Sequence, residues 1–379
     1  MRLKKALFTI VGVVAALGCA SAAAQGDDPP AVPSAVTVNG VLSAGTIFTN
    51  ASGVNAVGSL DSPSGIDQRV RANVTNALVT LTKGTGTVRW GATVGAYDLP
   101  VAGMAGNPLI QKGANTNLFG AVPQWYVQYA LSSNFTISAG QQFTLLGTES
   151  TFTYQNGNIQ RGLLWNMEPV TSRGVRATLT VGRWTAAMEG NDGYYTWSHV
   201  AIEGMFGYNT SPNTSVSFAF ILPNTNTPGN ITASIANKRE YNVMLTSTAG
   251  RWSLSPYMLY VDSPSSTALG YTNDEHAFGG ALLGSYTLNG AWSVGARVEY
   301  VKNSSSTTDI SPNADLVGYG PGSSARSYTI TPTYKLGKAF VRGEASSVSV
   351  SNLMPGIGFS SAGTRSTQFR TAVEAGVQF

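Results

Sequence analysis

From about residue 36 onward the chain alternates. In Trp292-Ser293-Val294-Gly295-Ala296-Arg297-Val298-Glu299-Tyr300 the even positions are apolar with an aromatic at each end, and the odd positions are small or charged. A period of two places successive side chains on opposite faces of a strand. An apolar stripe ending in aromatics, opposite a polar stripe, fits a strand with one face in lipid and the other wet. Thr87 to Tyr97 repeats the pattern with Val88, Trp90, Ala92, Val94 and Ala96 on one face, and Trp252, Leu254, Met258 and Tyr260 repeat it again. Near Thr75 and Asn76 the phase slips from Val70, Ala72 and Val74 to Ala77, Val79 and Leu81, which predicts a β-bulge.

The connections alternate too. Short turns are predicted at Lys83 to Gly86, Ser132 to Asn134, Gly182-Arg183, Asn209 to Asn213, Ala249-Gly250, Asn289-Gly290 and Lys335 to Lys338. Asn289-Gly290 has the composition of a type I′ hairpin, whose two central residues need positive φ. Long Gly/Ser/Thr/Asn/Pro-rich loops are predicted near 51–68, 98–120, 144–171, 191–197, 223–237, 262–274, 302–324 and 348–365. The sum is an all-β chain of about sixteen strands, within a range of fourteen to eighteen, with both ends on one side. A sandwich or solenoid would also alternate, but it explains neither the aromatics at both ends of the stripe nor the long loop at every second connection. Lipid forbids an open sheet edge, so the reading is a closed transmembrane antiparallel β-barrel with short periplasmic turns and long extracellular loops.

Composition and the N-terminus agree. Only 11% of the 379 residues are charged, 43 are glycine and 10% are aromatic, too many aromatics for ordinary disorder. No apolar run reaches the ~18 residues of a spanning helix. Arg2, Lys4 and Lys5, the apolar stretch Ala6 to Gly18 and Ala22-Ala23-Ala24 read as an export signal over 1–24, cleaved between Ala24 and Gln25. Residues 25–34 are a short polar lead, too small for a plug, and 35–379 form the barrel. Cys19 is the single cysteine and falls within the signal, where lipoprotein processing is the alternative; otherwise the mature chain has no thiol or disulfide. The signal removes three of the 23 Lys and Arg and none of the 19 Asp and Glu, leaving a net charge near +1 and no basic footprint for nucleic acid.

The final strand runs from Gln368 to Phe379 with Phe369, Val373, Ala375, Val377 and Phe379 on one face. A terminal Phe closing such a strand resembles the signal read by the outer-membrane insertion machinery, which makes Phe379 the expected assembly signal. The pieces Gln124-Trp125-Tyr126-Val127-Gln128-Tyr129, Ala139-Gly140-Gln141-Gln142-Phe143, Leu146-Gly147-Thr148-Glu149, Gln160 to Asn166 and Pro169 to Arg176 resemble the putative β-barrel porin-2, or OmpL-like, family in order and spacing. Where that family commonly has an Asn-Gly-Trp-Asp-like run, Glu189-Gly190-Asn191-Asp192 stands here. The resemblance implies a channel in the outer membrane of a Gram-negative bacterium, and no chemistry.

Transport needs charges on the wet face and something to narrow the lumen. The phase places Arg69, Arg71, Arg89, Arg176, Arg297, Arg342 and Arg370 there, with Glu189, Glu203, Glu240, Glu299, Glu344 and Glu374. Charge on the lipid face at mid-bilayer would cost ~2–4 kcal/mol. The loop 144–171 carries Glu149, Arg161 and Glu168. It is expected to fold into the lumen and oppose wall arginines such as Arg71, Arg89 and Arg370; the alternative is an external cap. Such a transverse field favours small polar solutes. An outer-membrane hydrolase would have to use His276 with Asp274, since His199 and His276 are the only imidazoles and neither sits in a nucleophile motif. A closed adhesive barrel is the other alternative. Gly193-Tyr194-Tyr195-Thr196-Trp197 could stack on a sugar or pack as girdle or loop. No cofactor or metal is expected. The expected partners are outer-membrane lipid, the insertion machinery and small solutes, with a homotrimer by analogy with porins of this size.

Overall fold

The computed structural model describes residues 36–51, 69–104, 119–195, 200–224, 237–360 and 362–379. The signal, the lead, His199 and Thr196-Trp197 lie outside the described residues. Sixteen antiparallel strands close into one barrel, each paired with its neighbours in sequence and the last with the first. They are β1 (Thr37–Thr49), β2 (Val70–Lys83), β3 (Val88–Tyr97), β4 (Gln124–Ala130), β5 (Phe135–Phe143) and β6 (Thr171–Val181). Then come β7 (Trp184–Asn191), β8 (Val200–Ser211), β9 (Thr214–Asn224), β10 (Arg239–Ala249) and β11 (Trp252–Ser263). β12 (Glu275–Thr287), β13 (Trp292–Asn303), β14 (Ser324–Leu336), β15 (Ala339–Ser351) and β16 (Thr367–Gln378) complete the wall.

The predicted phase is the observed one. In β13, Trp292 and Val298 are exposed on the outer face, whereas Arg297 and Glu299 are buried inside. All seven predicted turns and all eight long connections fall at strand junctions. Gly182, Gly250 and Gly337 each take φ of +57° to +59° as the first residue of a two-residue turn, followed by Arg183, Arg251 and Lys338. Glycine adopts that left-handed backbone without a Cβ clash. Asn289-Gly290 differs from expectation. Neither residue has positive φ, and the Asn289 carboxamide oxygen accepts from the N–H groups of Ala291 and Trp292 at 2.9 Å each. The side chain closes an Asx-type turn, so the type I′ backbone is not needed.

The bulge is at Thr75: Ser43 pairs with Asn76 and Ala44 with Val74, which leaves Thr75 as the extra residue. Thr75 and Asn76 therefore both turn inward, 5% and 0% exposed, and the phase beyond them is reset. At the closing seam Gly40 and Phe379 exchange backbone hydrogen bonds of 2.8 and 3.0 Å. The Phe379 ring lies on Gly40, where a Cβ would come within 2.1 Å of it. At the short-turn rim three cross-strand pairs repeat one geometry: Trp184 with Tyr208, Trp252 with Tyr286 and Trp292 with Tyr334, centroids 4.5–4.9 Å apart. Amphipathic rings at this level are a membrane-interface girdle.

Candidate functional site

Residues 144–170, between β5 and β6, fold into the barrel and cross to the far wall. Lumenal carboxylates hold them there by accepting backbone N–H groups that a loop buried away from water would otherwise leave unpaired. Glu203 of β8 takes Leu145 N–H, and Thr144 Oγ1 at 2.7 Å. Glu344 of β15 takes Ile159 N–H, and Gln160 N–H at 3.1 Å. Glu299 of β13 takes Leu163 and Leu164 N–H at 3.0 and 3.2 Å. Thr153 donates to Glu374 at 2.7 Å, beside Ser43, Thr75 and Asn76, which reach the same oxygen at 3.0, 2.7 and 3.2 Å. The bulge thus supplies two of the donors around Glu374. Asn158 bonds Thr331 at 2.8 Å, and Gly157 lies against β13 at Gly295, where a Cβ would stand 2.3 Å from the Gly157 carbonyl oxygen.

Arg297 clamps the loop to the wall. Its guanidinium donates to Glu149 at 2.6 Å, to the Gln160 carbonyl at 2.7 Å and to Glu299 at 3.0 Å, and its side chain is fully buried. Burial pushes the Glu149 carboxyl above its usual range against the pull of Arg297, and Glu299 adds to the rise. Arg342 donates through Nε and Nη2 to the other Glu374 oxygen, Oε2, and to Asn156 O at 2.9 Å. Above this layer the loop packs an apolar cluster within the barrel, including Phe152, Leu163, Leu164 and Met167. Its tip joins residues 98–104 through a parallel bridge between Val101 and Arg161. Burial lowers the Arg161 guanidinium to about 10.

The predicted residues separate into groups. Arg297, Glu299, Arg342, Glu344, Glu374 and Glu149 meet at the loop. Arg370 joins the loops instead, donating to Val101 O at 2.7 Å and Gln160 Oε1 at 3.0 Å. Arg71 pairs with Asp98, and Arg176 with Glu189 and, at 2.7 Å, Phe143 O. Arg89 stays at the short-turn mouth, donating to Gly86 O at 3.0 Å. The expected opposition of loop acids to Arg71, Arg89 and Arg370 is therefore not what forms: Glu149 meets Arg297, and Glu168 lies near Glu240 and Lys238. Burial, then Glu240 and Glu149, push the Glu168 carboxyl well up against the pull of Lys238. Asp98, Gln160 and Lys238 escaped sequence reasoning because they stand outside or at the edge of the alternating segments, where phase assigns no face. Tyr194 and Tyr195 pack inward, with the Arg173 guanidinium 3.9 Å from the Tyr195 ring, which is loop packing.

On the short-turn side of the loop the wall presents hydroxyls: Thr80, Thr185, Ser217, Ser255, Ser293 and Thr333 are half-buried and face inward. His276 is remote from all of this. Its Nδ1 lies 2.9 Å from Tyr260 Oη and 3.2 Å from Asp262 on the outer face, while Asp274 accepts from Ser265 N–H at 2.6 Å. The His276/Asp274 pair required for hydrolysis is not assembled.

No curated protein matches the sequence. The fold is similar to several solved outer-membrane barrels at low identity. The DcaP outer-membrane channel of Acinetobacter baumannii shares 12% identity with a TM-score of 0.59, over 91% of this chain and 97% of that one. An anion-selective porin from Comamonas acidovorans shares 12% with a TM-score of 0.58, over 91% and 100%. The trimer form of OmpT from Vibrio cholerae shares 11% with a TM-score of 0.57, over 92% and 100%. The model of the putative beta-barrel porin-2, OmpL-like family matches residues 35–379, and with the closed barrel and its infolded loop this makes the chain a member of that family, an outer-membrane porin.

Proposed function

We propose that this porin conducts ions and small hydrophilic solutes passively across the outer membrane, with loop 144–170 setting the width of the path. The observation that carries the reading is the anchoring of that loop inside the barrel by Glu203, Glu299 and Glu344. A hydroxyl-lined vestibule below it, with Arg89 at its mouth, offers hydrogen bonds that suit varied polar solutes. The lumenal residues Arg71, Arg176, Arg297, Arg342, Arg370, Glu149, Glu168, Glu299, Glu344 and Glu374 shape that path, mostly by holding the loops. No catalysis is assigned. Residues 1–24 direct export, Phe379 presents the final strand to the insertion machinery, and the functional unit is a homotrimer, as in the trimer form of Vibrio cholerae OmpT. Planar-bilayer recording of the purified protein tests the reading: stepwise, ohmic, salt-dependent conductance is expected. A tight seal, with no uptake of small sugars into proteoliposomes, would overturn it.

A further inference from the structure

The outer face of β10 to β14 carries a feature that conduction does not use. On five consecutive strands a charged or imidazole side chain stands two residues beyond an aromatic, on the long-loop side: Arg239 beyond Tyr241, Asp262 beyond Tyr260, His276 beyond Phe278, Lys302 beyond Tyr300 and Arg326 beyond Tyr328. Arg239, Asp262 and His276 are direct cross-strand neighbours. His276 lies level with Ser304, so Lys302 is two residues down the ladder, and Arg326 is two below Ser324, the partner of Lys302. The β12-to-β13 step recurs at the opposite rim, from Tyr286, whose partner is Val294, to Trp292. Strands of a barrel are tilted, so the stagger from His276 through Lys302 to Arg326 keeps those three closer to one level than direct ladder partners would be. Each member stands one same-face position outside the aromatic of its own strand, on the long-loop side of the girdle.

Asp262 engages Arg239 at 3.4 Å and His276 at 3.2 Å. Lys302 and Arg326 have no acid within salt-bridge distance among the described residues, and the Arg326 guanidinium rests 5.8 Å from the Tyr300 ring centroid. Lipid-facing cations at headgroup depth, above rings that seat in the interface, are matched by anionic headgroups. We propose that this row binds phosphate groups of anionic lipid headgroups in the outer leaflet, with Lys302 and Arg326 as the principal contacts and Arg239 and His276, bridged by Asp262, as a flank. The orientation rests on the outer-membrane reading; the binding does not rest on conduction.

The test is binding of a bisphosphorylated lipid A to the full-length protein in detergent, measured by native mass spectrometry against the same lipid lacking both phosphates. The intact lipid is expected to bind and the dephosphorylated one to bind at least tenfold more weakly. K302S/R326S should lose about 25-fold in affinity, about fivefold per cation, with unchanged single-channel conductance. R183S/R251S, at the other rim, should bind as the parent does. Equal loss in R183S/R251S would show unspecific charge attraction and overturn the proposal. So would displacement by equimolar inorganic phosphate, which would indicate a free-anion site. Unchanged lipid binding with loss of self-association in K302S/R326S would overturn it in favour of an interface between copies.

Discussion

Arg297→Met should release the loop. The guanidinium makes contacts of 2.6 to 3.0 Å to Glu149, Gln160 O and Glu299, all at side chains with essentially no exposure. Removing one partner of a buried charge pair costs about 3–5 kcal/mol, because the remaining carboxylates are left in a dry site. Barrel closure does not depend on this clamp, so the cost falls on the loop equilibrium. At 1.4 kcal/mol per decade the released population should rise roughly a hundred- to few-thousand-fold. The loop carries its own reporter: the Arg161–Gly162 bond is a trypsin site, and Arg161 is 0% exposed when the loop is seated. Cleavage there follows the open population when reclosing is faster than cutting. Cleavage after Arg251, in an exposed turn, serves as the internal standard. R297M should raise normalised cleavage at Arg161 at least a hundredfold and raise single-channel conductance. R297M/E149Q should recover part of the difference, since one stranded charge is gone. Unchanged cleavage together with unchanged conductance in R297M would refute the clamp.

Three further outcomes follow from the same geometry. Gly295→Val places side-chain atoms where the Gly157 carbonyl lies, a Cβ alone reaching 2.3 Å, so conductance should change while heat-modifiable gel migration still reports a folded barrel; parental conductance would show that the loop does not rest there. Glu168 has its carboxyl raised by burial, Glu240 and Glu149, with Lys238 opposing, so its contribution to loop seating is complete below the ordinary 4.5 and is lost as pH rises through the raised value. Normalised Arg161 cleavage should therefore climb toward alkaline pH, and E168Q should flatten the climb; an identical slope in E168Q would discount that carboxyl. Phe379→Ala removes the ring from Gly40 at the seam, where it is half-exposed, and should cost about 1–2 kcal/mol in urea unfolding. The variant should also yield less folded protein in cells; parental stability and yield would leave Phe379 without a role at the seam.

The wall was legible because lipid on one side and water on the other impose a period of two that any strand must show. Trp292 to Tyr300 displays it, and the Thr75 bulge is visible as a one-residue slip in that rhythm. The alternation of short and long connections sets the strand number by the same logic, since each hairpin must return the chain to one side of the membrane. What phase could not supply was partnership. It placed Arg297 and Glu299 on the wet face, but whether they meet solute or Glu149 and the N–H groups of Leu163 and Leu164 depends on a loop that enters from β5 and β6, far around the barrel. Asp98 and Gln160 lie in irregular backbone, where no periodicity constrains a side chain. Local alternation is written in neighbouring residues; the loop's seat is decided by contacts from 58 to 221 positions apart, which exist only once the barrel has closed and the buried amides must find acceptors.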